Sequence, residues 1–266
     1  MRIRLIVSPA KKMNIVEGPP YATAAPFLLN RAVVLAHQLG SLSFSQSKAL
    51  WRCSDKLARL NYARTRTLEA DMQQDPALLT PAILAFEGIQ YQHMAPQVMT
   101  DDQIAWLQGS LRVLSGLYGV LRPLDGVVPY RLEMQALLSV GNARNLYSYW
   151  DSTLYQRVIA DDDPSARDND VTIVNLASVE YAKAVVPFAQ RAGTPVVTCL
   201  FGTIRPSDGR LIQKATEAKA ARGTMTRWCA EHAVGTPDEL RGFAERGYKL
   251  SEANSSETRL VFVRES

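Results

Sequence analysis

The chain has 266 residues, of which 47% are hydrophobic and 21% charged, the profile of an ordinary soluble globular protein. A formal net charge of +4 is too small to indicate a nucleic-acid partner unless the cations are gathered in one place. Three cysteines, Cys53, Cys199 and Cys229, leave an odd thiol and no disulfide framework, as suits a reducing compartment.

Arg2 to Val7 reads as a buried strand, too short for a signal peptide and followed at once by Ser8-Pro9-Ala10-Lys11-Lys12. Pro26 suits a helix start. The spacing of Leu28, Leu29, Val33 and Ala36 then predicts an amphipathic helix to about Leu39, stopped by Gly40. Ser45 to Trp51 and Asp55 to Arg66 read as two short helices, with Ser54 placed to cap the second. Thr80-Pro81 opens another helix, and Thr100 with Gln103 forms a capping box at the head of a helix from Asp101 to Leu107.

Leu111 to Met134 is the stretch around which the rest is organised. It starts as a buried strand, and then Gly116, Gly119, Pro123, Gly126 and Pro129 predict a folded-in loop. Arg122, Asp125, Arg131 and Glu133 sit among residues that favour burial, so they must pair with one another or face a shared cleft.

Beyond it, Leu146 to Ile159 reads as one helix and the aspartate-rich 161–170 as a solvated loop. Val171 to Leu176 is a strand, Ser178 starts a helix ending before Pro187, and Pro195 to Phe201 is a strand. Thr216 to Ala233 is a long helix, Thr236-Pro237 opens a short one, and Leu260 to Arg264 is a closing strand. No apolar run approaches the ~20 residues that span a bilayer. The expectation is a cytoplasmic single-domain α/β protein spanning 1–266, with a mixed central β-sheet wrapped by helices, and neither a standard Rossmann nor a TIM fold.

Several motifs resemble the YaaA family of bacterial peroxide-stress proteins. They are Ser8-Pro9-Ala10-Lys11, Ser54-Asp55-Lys56-Leu57-Ala58, Phe86-Glu87-Gly88-Ile89-Gln90-Tyr91 and the central Leu114-Ser115-Gly116-Leu117-Tyr118-Gly119 with its Pro129-Tyr130-Arg131-Leu132-Glu133-Met134 end. Asn175-Leu176-Ala177-Ser178 with Glu180-Tyr181, Lys219 with Arg222-Gly223, and Gly242-Phe243 with Gly247-Tyr248 follow in the family's order. The resemblance implies a role in limiting damage from peroxide and free iron, and DNA binding through a helix-hairpin-helix-like element.

Four segments carry candidate chemistry. Lys11, just past a strand end, is where α/β sheets often gather ligands, although a solvated turn explains it equally. In the central stretch Arg122 and Arg131 suit phosphate or carboxylate, with internal ion pairs as the alternative. Lys48, Arg52, Lys56 and Arg59 lie on the short helix pair, where a tight basic turn can meet a phosphate. That turn lacks the usual glycine pair, and a solvated basic face is the plainer reading. Lys219 and Arg222 share a helical face, and Gly223 beside them marks a close approach by backbone or ligand.

Glu133, Glu180 and Tyr181 are candidates for acid–base work. No cofactor is implied. Cys229 and His232 supply at most two metal ligands, and Cys53 beside basic residues is either a peroxide-sensitive or a structural thiol. The expected partner is duplex DNA, gripped by its backbone without regard to sequence, with a small anionic ligand or phosphorylated substrate as the alternative.

Overall fold

The computed structural model describes residues 2–160 and 171–264; the aspartate-rich 161–170 lies outside them. The main sheet has eight strands among the described residues, numbered here in chain order. They are β1 (Arg2–Val7), β2 (Leu111–Ser115), β3 (Gly119–Leu121), β4 (Val171–Asn175), β5 (Val196–Ile204), β6 (Leu211–Ile212), β7 (Tyr248–Leu250) and β8 (Arg259–Arg264). Their spatial order is β7-β8-β5-β4-β1-β2-β3, with β6 paired to β5. The centre is parallel: β1 runs with β4 and β2, β4 with β5, and β5 with β8. Antiparallel β3, β6 and β7 complete the sheet, so it is mixed, as the sequence suggests. β1, β2 and β4 are buried almost throughout, as parallel strands covered on both faces are, and Arg4 and Arg112 are buried among their apolar residues.

This strand order places a crevice. From β1 the chain goes on to β2, on one side; from β4, the neighbour on the other side, it goes on to β5, farther away. Adjacent parallel strands whose onward connections diverge leave a gap beyond their carboxyl ends, the usual ligand position in open α/β sheets. Ser8 follows β1 there and Ser178 follows β4.

Six helices matter to the site: α1 (Leu29–Ser41), α2 (Phe44–Trp51), α3 (Asp55–Thr65), α4 (Ile89–Met94), α5 (Asp101–Ser110) and α6 (Ala215–Glu231). α5 carries the expected capping box, Thr100 accepting from the Gln103 N–H and Gln103 from the Thr100 N–H. The short helix pair also forms, but its full capping box lies at Ser43 and Gln46, at the head of α2. Ser54 occupies the N-cap position of α3 with no side-chain capping bond.

Elsewhere the chain is more broken than its periodicity suggests. The expected helix over Leu146 to Ile159 is two, Leu146–Trp150 and Thr153–Ile159, parted at Asp151 with φ 46°. Thr80–Pro81 is a short strand paired with Gly126–Val127 ahead of a single helical turn. Pro187 sits in the first turn of a helix, Val186–Arg191, rather than beyond an end. The central loop is tighter than expected: β2 and β3 form a hairpin pairing Ser115 with Gly119, which turns at φ 76°. A Cβ at Gly116 would stand 2.3 Å from the Leu132 carbonyl oxygen, so the outgoing limb packs directly on the hairpin.

Candidate functional site

Lys11, Arg131, Lys219 and Arg222, drawn from four distant segments, line one hollow of about 510 Å³ together with Glu133, Glu180 and Tyr181. Its floor is the crevice: Ser8 Oγ accepts from the Ser178 backbone N–H at 2.8 Å and donates to Ser178 Oγ at 3.1 Å. The Tyr91 hydroxyl donates to the Ser8 carbonyl at 3.0 Å, fixing the first residue after β1. Lys11 is held in place by its neighbour. Lys12 pairs with Glu87 at 2.6 Å while Lys12–Met13 runs antiparallel to Phe86–Glu87.

Arg222 and Lys219 reach the hollow because α6 lies hard against α4. A Cβ at Gly223 would be 2.0 Å from the Gln90 carbonyl oxygen, so only glycine allows this approach. The close approach is by backbone, not ligand, and it is worth the ~1 kcal/mol that glycine costs a helix.

The electrostatics of the two sides differ. On one, a single carboxylate oxygen, Glu133 Oε1, takes Arg131 Nη2 at 2.9 Å and Lys11 Nζ at 3.3 Å. On the other, Lys219 and Arg222 have no ion pair among the described residues, and burial pulls the Arg222 pKa down. Nε of Arg131, Nε of Arg222 and the Gln90 amide nitrogen are buried without an acceptor among the described residues. Buried donors left unmatched are costly, and all three belong to residues that line the hollow.

Glu180 and Tyr181 sit at the other wall. Glu180 Oε1 accepts from the Gln135 N–H at 3.2 Å, and its carbonyl accepts from the Tyr147 hydroxyl at 2.9 Å. Burial pushes the phenols of Tyr91, Tyr130 and Tyr181 far above the usual tyrosine range, so each stays neutral and serves as a donor, not a base.

A second hollow of about 660 Å³ adjoins the first and shares Lys11 and Glu133 with it. Arg52 lines it, beside Leu50, Trp51 and Leu138. Arg52 is the left-handed residue, φ 45°, at the turn between α2 and α3. Lys48, Lys56 and Arg59 stay on the hairpin outside both linings. Lys48 pairs with Asp55 across the turn, and the Arg59 guanidinium lies 5.3 Å from the Phe44 ring centre. Lys56 is exposed.

Arg122 stands apart from both hollows. Its Nε and backbone N–H donate to the fully buried Asp125 at 3.0 and 2.8 Å, and its guanidinium lies over Phe27 at 4.1 Å. Burial pushes the Asp125 carboxyl up to about 6 against the pull of Arg122.

Sequence reasoning left Gln90 and Tyr91 unassigned and did not foresee the second hollow; the Phe86–Tyr91 motif was the only available signal for the first two. Cys53 is half-buried. Burial raises the Cys229 thiol far above its usual range, while the exposed His232 bonds the Trp228 carbonyl through Nδ1, so the core takes up only the cysteine. Among the described residues no group of three or more His, Cys, Asp or Glu is placed to hold a metal, and no helix is long and apolar enough to cross a membrane.

A family model described as peroxide stress protein YaaA matches residues 3–254. A UPF0246 protein of Pediococcus pentosaceus is 45% identical over 262 residues, covering 98% of each chain. Another, from Lactiplantibacillus plantarum, is 41% identical over 261 residues, covering 98% of this chain and 99% of its own.

Proposed function

The chain belongs to the YaaA family of peroxide stress proteins, and from that premise we propose that it binds DNA through the basic cleft and the α2–α3 hairpin. The observation that carries this is the meeting of Lys11, Arg131, Lys219 and Arg222 in one hollow, continued past Lys11 to Arg52 at the hairpin turn. Cations gathered along a cleft, with buried donors lacking acceptors, suit phosphate oxygens. Arg131 and Arg222 bring planar forks; Lys11 and Lys219 bring mobile point charges. Lys48, Lys56 and Arg59 add a basic flank on the hairpin. Binding of this kind limits peroxide damage by covering DNA, and any effect on iron is indirect.

Fluorescence anisotropy on a short duplex tests it. Affinity is expected to fall linearly on a log–log plot against salt, by about 0.9 per phosphate neutralised. Absence of binding at low salt, or indifference to salt, overturns the reading.

A second reading has an observation of its own. The first hollow lies within the ~300–1,000 Å³ of small-ligand pockets, and neutral Tyr91, Tyr130 and Tyr181 wall it with hydroxyl and aromatic surface. That suits an enzyme acting on a small phosphorylated or nucleotide-like substrate, with Glu133 or Glu180 moving the proton and neutral Tyr181 limited to a hydrogen bond. Thermal shift against a nucleotide panel separates the two: a ligand at 100 times its Kd adds about 2.7 kcal/mol. DNA binding without stabilisation by any of these anions removes the enzyme reading.

A further inference from the structure

We propose that the two hollows are halves of one trough for an unpaired nucleic-acid strand, and that the Glu133 carboxylate holds the place of one of its phosphates. The inference rests on the reading that the cleft takes nucleic-acid phosphates, and it names which form enters and what stands in the way.

Glu133 and Lys11 belong to both linings, so their contact is the sill between the hollows. Glu133 Oε1 meets Arg131 and Lys11 as a phosphate oxygen would, a planar donor on one side and an ammonium on the other. Its side chain is 14% exposed, whereas Lys11 is 68% exposed and able to follow an incoming anion. Arg131 keeps its Nε without an acceptor, so Glu133 meets this demand only in part. A second oxyanion arriving here takes over both cations while Glu133 swings aside.

The cations are strung along the trough: Lys219 and Arg222 in the first hollow, Lys11 and Arg131 at the sill, Arg52 in the second hollow. Single strands carry charge in such a series. In the second hollow the exposed Leu137 and the half-buried Leu50 offer apolar surface of the kind unpaired bases lie against, with Trp51 and Leu138 buried behind them. Hollows of this size hold one backbone with its unpaired bases, whereas a duplex reaches the same cations only along the edge of a single strand.

Titrations of dTMP and of the tetranucleotide dT4 into the wild type, Glu133→Gln, Arg52→Ala and Lys11→Met, with a duplex as a separate arm, test this. Gln keeps an oxygen for Arg131 and removes the competing charge, so E133Q is expected to bind dT4 about tenfold more tightly. R52A is expected to weaken dT4 several-fold and leave dTMP unchanged. K11M changes an exposed side chain and is expected to weaken dT4 about tenfold, which keeps the test alive should E133Q melt early. Unchanged or weaker dT4 binding by a folded E133Q overturns the proposal, as does equal affinity for dTMP and dT4. Duplex binding with no response of dT4 to E133Q sinks this inference and spares the proposed function. A dT4 response without duplex binding does the reverse, and no binding of any probe ends both.

Discussion

Arg122–Asp125 and Arg131–Glu133 lie on one stretch of chain and use the same two kinds of group, yet they end in opposite situations. Asp125 is fully buried, receives two donors from Arg122, and sits in a corner closed by Phe27 and the Ala24 and Ala82 backbones. Glu133 faces a cleft, shares one oxygen between Arg131 and Lys11, and leaves Arg131 with a donor to spare. The first pair satisfies itself and serves the fold. The second is incomplete and serves whatever fills the hollow. An ion pair's meaning thus lies in which donors and acceptors remain unmatched, not in its members.

That contrast is easiest to break by removing one partner of each. Asp125→Ala takes away the fully buried carboxylate that accepts two donors from Arg122 and is expected to cost about 3–5 kcal/mol in urea unfolding, with anion affinity per folded molecule unchanged. Arg131→Met is expected to cost under half as much stability while weakening anion binding at least tenfold. Equal stability losses would erase the distinction.

Gly223→Ala follows in size. The added methyl meets backbone at 2.0 Å, so α4 and α6 must part; overpacking of this kind costs about 1–3 kcal/mol. Because Lys219 and Arg222 move with α6, DNA affinity is expected to fall alongside the melting temperature. A stable G223A with full affinity contradicts the placement of those cations.

The smallest effect is a pH dependence. Asp125 is raised to about 6 in the fold, above the ~3.9 of an unfolded aspartate. The folded state therefore holds this proton more tightly. The contribution is complete below pH ~4 and is lost as pH rises through 6, at no more than about 1.4 kcal/mol per pH unit for one proton. Asp125→Asn is expected to remove that slope from the stability–pH curve between 4 and 6; a slope that survives the substitution contradicts the assignment to Asp125.

Much of the site could be read from the chain, for identifiable reasons. Lys11 follows a short apolar run, which marks a strand end, and Gly223 interrupts a helical pattern, which marks a close approach. The helix pair was legible because Ser54-Asp55 restarts a helix after Arg52. What escaped depends on contacts between distant segments. β3 is three residues long and opens on a glycine, so it reads as loop; it exists because β2 offers it an edge and Gly119 permits the turn. Asp151 breaks an apolar face that is otherwise continuous, and no local residue announces the break. Lys12–Met13 and Phe86–Glu87 are two-residue strands that only their mutual pairing defines. The second hollow is invisible for the same reason, since its walls come from α2 and from the chain after Glu133.

The most direct measurement of the central claim is the salt dependence of duplex affinity for the wild type beside the double variant R131M/R222M. Both guanidinium groups are expected to act on phosphate, so the variant's log–log slope should be shallower by about 1 to 2 and its low-salt affinity at least tenfold weaker. A folded double variant with the wild-type slope and affinity would contradict the convergence of these cations on a working anion cleft.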